Sequence, residues 1–176
     1  MPIGDPGSGQ APPGVVALRE PAHLVSPRAR VMWFVGGVAQ ALVLAAAQAL
    51  WWLVDAEGPR APHVVLAAAF VVPALAYVVV MPQWRYRVHR WESTPTAVYT
   101  QTGWVTQERR IAPVSRIQTV DMTRGPVAQL FRLASVQVTT ASAAGPLKIH
   151  GLDVDVARRL VDELTTATAA AGGDAT

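Results

Sequence analysis

No aspartate, glutamate, lysine or arginine occurs between Val31 and Val54, nor between Val64 and Met81. The first run holds 24 residues. As a helix it would be roughly 36 Å long, against a hydrocarbon core of about 30 Å. It is apolar all round, as a span is and an amphipathic surface helix is not. The second run holds 18 residues and contains Pro73, which is expected to kink it. Only 15% of the chain is charged, against about 25% in a soluble domain. Because the deficit is concentrated in the two runs, a plain soluble enzyme and a disordered chain are both excluded. Cysteine is absent, and with it disulfides, thiol nucleophiles and cysteine-ligated zinc or iron–sulfur sites.

Residues 55–63 between the runs form a short polar turn, so the spans, about 31–54 and 64–81, make a hairpin within residues 28–83. Arg28 and Arg30 precede the first span and Arg85, Arg87 and Arg90 follow the second, against Arg60 alone in the turn. That asymmetry predicts a multi-pass cell-membrane protein with both termini cytoplasmic and those five arginines at the inner-leaflet surface. Trp33, Trp84 and Tyr86 belong at the inner interface and Trp51 and Trp52 at the outer one. Gln40 and Gln48 are expected to hydrogen-bond across the hairpin. Gly36, Gly37 and the alanines 45–47 allow close helix contact, within the hairpin or in a homo-oligomer. The competing reading is a cleaved signal peptide ending at Ala47-Gln48-Ala49, but its leading region and apolar run are both too long. Residues 1–27, with six prolines and four glycines, are expected to be a disordered tail, and residues 172–176 a frayed end.

From Trp84 the apolar period changes to two. Residues 85–91 read as a half-exposed strand, broken by Thr94-Pro95. Residues 97–101 and 104–111 read as strands around a turn at Gly103, where positive φ is available. Residues 114–122 alternate Val114, Arg116, Gln118 and Val120 against Ser115, Ile117, Thr119 and Asp121. After Gly125-Pro126, one helical turn is expected to carry Val127, Leu130 and Phe131 inward. Residues 135–140 and 146–150 are further strands. Asp153 is placed as N-cap of a helix with Asp155 in its first turn and Val156, Ala157, Leu160, Val161 and Leu164 on one face. The fold class is therefore an α+β membrane protein: a two-helix transmembrane hairpin, then a small antiparallel β-sandwich or barrel plugged by a C-terminal helix.

The segment from Arg109 to Val120, read Arg-Arg-Ile-Ala-Pro-Val-Ser-Arg-Ile-Gln-Thr-Val, resembles the "VPLSRIQ-V" block of the bacterial PH-like domain family of YdbS-like membrane proteins. Gly125-Pro126-Val127 through Leu130-Phe131-Arg132-Leu133-Ala134 resembles the family's "QGPL-R-FGLA" block, and Val136, Val138, Thr139, Thr140, Ile149, Gly151 and Leu152 continue it. The resemblance covers about residues 28–165 and implies a pleckstrin-homology-like domain over residues 84–171, tethered to the membrane. It implies little about chemistry. Arg132 stands where the family often has glycine, and Arg124 where it more usually has glutamine.

Histidines 23, 63, 89 and 150 read as scattered surface or half-buried residues without metal-ligand spacing. The glycines of residues 4–9 lack the lysine and helix of a phosphate loop, and no nucleophile elbow occurs. Asp153, Asp155, Asp162 and Glu163 read as helix-terminus and helix-surface charges. No catalytic residue, metal or cofactor is expected. Residues 84–176 carry 11 Lys and Arg against 8 Asp and Glu. Arg109, Arg110, Arg116, Arg124 and Arg132 are the candidates for binding an anion or an acidic partner, set against a solvated strand surface. A nucleic-acid partner is set aside, since the basic excess is small and no RNA-binding signature occurs. The expected function is a non-enzymatic interaction module that presents its β-domain to a membrane-associated protein. The alternative is recognition of anionic lipid head groups by the domain's arginines.

Overall fold

The computed structural model describes residues 20–55, 57–103, 106–142 and 145–173. The expected tail up to residue 19, Trp104 at the start of one expected strand, and the end from residue 174 lie outside the described residues.

Helix α1 (Pro27–Val54) starts where the Ser26 hydroxyl accepts from the Arg28 amide, with proline at the first position, where its missing N–H and fixed φ suit a helix start. Helix α2 (Arg60–Val88) runs through Pro73 and Pro82. Only 6% of each apolar window is buried, so these are not core helices of a soluble fold. Leu42, Val43, Leu53, Phe70 and Val72 all stand exposed and require an apolar surrounding. Within the hairpin, Gly37 faces Val78 so closely that an added Cβ would lie 3.4 Å from its Cγ2, whereas Gly36 faces open space. The expected hydrogen bonds of the two glutamines do not form: Gln40 is exposed, and Gln48 turns inward with its Nε2 buried and unpartnered.

The strand expected over residues 85–91 is corrected. Helix α2 continues to Val88, and the chain after it enters the sheet only at β2 (Arg90–Ser93). Arg85 and Arg87 occupy the last helical turn, where the helix dipole favours positive charge, and their alternation with Tyr86 and Val88 suits a helix end as well as a strand.

Four strands, β1 (His23–Leu24), β2, β3 (Ala97–Thr102) and β4 (Glu108–Pro113), form one antiparallel sheet in that order. β5 (Ile117–Thr123), β6 (Leu133–Thr140) and β7 (Leu147–Asp153) form the other. Gly103 does take positive φ, at 100°. A 3-10 turn, Val114–Arg116, opens the expected strand over 114–122, and a bulge between Ile117 and Thr119 shifts its phase. Ile117 and Val120, assigned to opposite faces by strict alternation, therefore both pack on the core. That core joins Val98 and Ala112 of one sheet, Val136, Val138, Leu147, Ile149 and Leu152 of the other, and Ala157, Leu160 and Leu164 of helix α4 (Val154–Gly173). The C-terminal helix thus closes the sandwich along the predicted face.

A second correction concerns α3 (Pro126–Leu130). Of the three residues expected to point inward, only Phe131 packs; Val127 is 51% and Leu130 82% exposed. A third concerns the tail. Its last residues are ordered, because β1 pairs His23 with Trp91 and Leu24 with Arg90.

Candidate functional site

Residues 20–26 form a strap from the four-stranded sheet to the hairpin. Glu20 pairs with Arg109 at 3.5 Å, the Ala22 amide donates to the Glu92 carboxylate at 3.1 Å, and the Ser26 amide donates to the Gly151 carbonyl at 2.8 Å. Chain direction then turns into α1, whose first turn lies on β7. Ala29 is fully buried, and Arg28 bonds Asp153 at 3.1 Å. Asp153 ends β7 directly before α4. Gly151 makes the close approach: its φ is +76°, and an added Cβ would lie 2.9 Å from the Ala29 Cβ. Val25, Ala29 and Leu133 share an apolar cluster with Met32, Trp33, Tyr86, Ala128 and Phe131. Hairpin and domain are therefore joined through packed side chains.

His89 is the pivot of this junction. Its backbone N–H and its ring Nδ1–H both donate to the Arg85 carbonyl, at 2.9 and 2.8 Å, closing the end of α2. The ring lies 5.3 Å from that of Trp33. Burial, then the Arg85 charge, and in lesser degree His150, hold its pKa down at about 4, although the bond to the Arg85 backbone acts in the opposite sense.

The arginines expected at the membrane surface divide. Arg85 lies over the Trp33 ring at 4.5 Å, and Arg30 over Tyr86 at 4.9 Å with Gln83 3.4 Å from its Nη1. These cation–π contacts lock the two helices together at the level where their apolar runs end. Arg28 ties the hairpin to the domain, Arg90 lies on β2 beside Leu24, and Arg87 is exposed.

The five candidate binding arginines do not converge. Arg109 is held by Gln101 at 3.1 Å and by Glu20. Arg110 donates to the Pro146 carbonyl at 2.9 Å and pairs with Glu108 at 3.3 Å. Arg116 is exposed near the same turn, where its carbonyl accepts from the Ala141 amide. Arg124 lies at the opposite end of β5, about 23 Å away for seven extended residues. Its Nε donates to the Leu133 carbonyl at 3.3 Å, next to Arg132. Two of the five, Arg124 and Arg132, thus flank α3 at the hairpin end.

Arg132 has φ of 55°, the one non-glycine residue with positive φ among those described. It follows the last turn of α3, its amide donating to the Gln129 carbonyl, a position that favours glycine because a Cβ is strained there. That is the physical reason for the glycine found in the similar block. Arg132→Gly is expected to raise folding stability by about 1 kcal/mol, measured as a higher midpoint of thermal unfolding for the purified full chain.

One cluster escaped the sequence reading. His63 is 1% exposed, not a surface residue. It lies 4.0 Å from Trp51 and 5.3 Å from Trp52 by ring centroids, with Nε2 3.1 Å from the Asp55 carboxylate. The available signal was Trp51-Trp52 and Asp55 in one helix end opposite a histidine in the first turn of the next.

A helical hairpin locked to a two-sheet sandwich that a C-terminal helix closes defines a class: a β-domain carried directly on two membrane-capable helices. The chain belongs to the bacterial PH domain family, whose sequence model matches residues 29–168. It is similar to the UPF0699 transmembrane protein YdbS of Bacillus subtilis (strain 168), with 26% identity over 151 residues, covering 83% of this chain and 92% of that protein. No solved structure matches significantly.

Proposed function

We propose that this chain is a non-enzymatic membrane module that holds a PH-like domain flush with the cytoplasmic leaflet and offers an outer sheet edge to a membrane-associated protein. The observation that carries this reading is the packed junction. Strap, Gly151–Ala29 contact and Arg28–Asp153 pair give the domain one orientation relative to the hairpin. A fixed orientation near the bilayer raises the effective concentration for partners in the same membrane. Arg28 and Arg30 before the charge-free run of α1 and Arg85, Arg87 and Arg90 after that of α2, against Arg60 alone between the runs, support both termini being cytoplasmic. Strand β4 is an outer strand of its sheet, with Arg109 on its exposed part, and an outer strand is a template for an extended partner segment.

A photo-crosslinking residue at Gln107, which is exposed beside β4, tests this in native membranes. A discrete adduct with a second protein is expected, lost on Arg109→Glu and absent from the same probe at Thr165 on α4. Adducts that ignore Arg109→Glu, or adducts of the chain with itself alone, would refute the partner reading. A second reading, recognition of anionic head groups, is favoured for Arg124 and Arg132, because those two flank α3 and its exposed apolar side chains.

A further inference from the structure

Outside the two long helices, the exposed large hydrophobic residues among those described are Leu24, Met122, Val127 and Leu130. All four lie at the same end of the domain. Leu24 is three residues before α1, Met122 is the penultimate residue of β5, opposite Val136, and Val127 and Leu130 belong to α3. The opposite side of α3 is anchored, since Ala128 and the following Phe131 join the cluster that contains Met32, Trp33 and Tyr86. Met32 and Trp33 stand at the start of the charge-free run of α1, and Tyr86 follows the end of that of α2. α3 therefore sits at the depth where a bilayer would change from hydrocarbon to head groups, with its apolar side chains turned away from the protein.

The geometry points to α3 as a second membrane contact: Val127 and Leu130 enter the cytoplasmic lipid interface beside the hairpin, and Arg124 and Arg132 meet the phosphates around them. An apolar patch bordered by cations at interfacial depth fits a lipid surface, whose acyl chains and phosphates match both parts. The strained backbone of Arg132 fits as well, because glycine would relieve it but would remove the charge. This inference rests on the membrane-anchored reading above and is independent of any protein partner. Its consequence is a three-point footing, two spans and one wedge, that resists tilting of the domain about the junction.

The chain has no cysteine, so single cysteines report cleanly. Leu130→Cys, Ser115→Cys and Leu42→Cys are labelled with an environment-sensitive fluorophore in the full chain. Each is reconstituted into phosphatidylcholine vesicles, with and without phosphatidylglycerol, containing nitroxide-labelled lipid. Ser115 is exposed at the far end of the domain, and Leu42 is exposed within α1. Emission from position 130 is expected to fall by about half or more, as at position 42, with position 115 unchanged. Arg124→Gln with Arg132→Gln should weaken quenching at position 130 in the anionic vesicles. Quenching at 42 but not at 130 overturns the wedge and leaves the anchor standing. Loss of quenching at 42 overturns both. Quenching at 130 that is equal in the two lipids and indifferent to the arginine changes sustains the apolar wedge but overturns the assignment of the arginines.

Discussion

Gly151→Val is expected to unfasten the domain from its hairpin and to lower stability by about 3–4 kcal/mol. Two costs combine. A β-branched residue at φ +76° is strained by about 1–2 kcal/mol or more, and its Cβ would lie 2.9 Å from that of Ala29, which is fully buried, an overpacking of about 1–3 kcal/mol. The Ser26 amide bond to the Gly151 carbonyl weakens as the two backbones separate. Thermal unfolding of the full chain in detergent, with limited proteolysis of the strap, measures the effect. Gly125→Ala is the control, because Gly125 has φ −69° and open space around it, and it should change little. Equal midpoints for Gly151→Val and the unaltered chain would show that hairpin and domain are not packed together.

Acidification should loosen the same junction. In the folded chain His89 stays neutral down to about pH 4, whereas an unfolded histidine protonates near 6.5. Between those values the unfolded state binds more protons, so stability is fully present above about pH 6.5 and is lost progressively as the pH falls towards 4. Allowing for some solvent access to the ring, the loss is about 2–3 kcal/mol. His150 has its pKa lowered as well, by burial first and then by the Arg85 and Lys148 charges, which acts in the same direction. His89→Gln removes the larger part of the slope while keeping a donor for the Arg85 carbonyl. Trp33, whose ring is beside His89, supplies the fluorescence signal. A midpoint of unfolding that is flat from pH 7.5 to 4.5, or a slope unchanged by His89→Gln, would be incompatible with this role.

The similar blocks over residues 109–120 and 125–134 made the sandwich legible, and the helical spacing of Ala157, Leu160 and Leu164 identified the plug. Failures occurred where a short pattern satisfies two geometries. Residues 85–91 alternate, yet helix α2 carries through to Val88 because propagation of an existing helix adds a bond per residue without a new nucleus. Alternation over 114–122 was interrupted by a turn and a bulge, which no residue type announces. Leu130 was assigned inward by its hydrophobicity, yet Ala128 and Phe131 take the inward side of the short α3 and leave Leu130 exposed, and hydrophobicity alone does not place a residue inside. As for the arginines, charge marked all five, but charge carries no direction in space.

Sequence alone determined the hairpin, its two spans, the order of domain and anchor, and the helical plug, because each rests on periodicity or charge within one contiguous segment. Tertiary structure decided the rest. It decided that residues 20–26 strap the sheet to the hairpin, that Gly151 must be small because Ala29 lies against it, and that His63 and His89 are buried. It also decided that only Arg124 and Arg132 accompany the exposed face of α3. The strap and Gly151 contacts join residues 64 to 125 positions apart, while the His63 cluster and the α3 arginines depend on how neighbouring elements turn against one another, and local pattern contains no term for either.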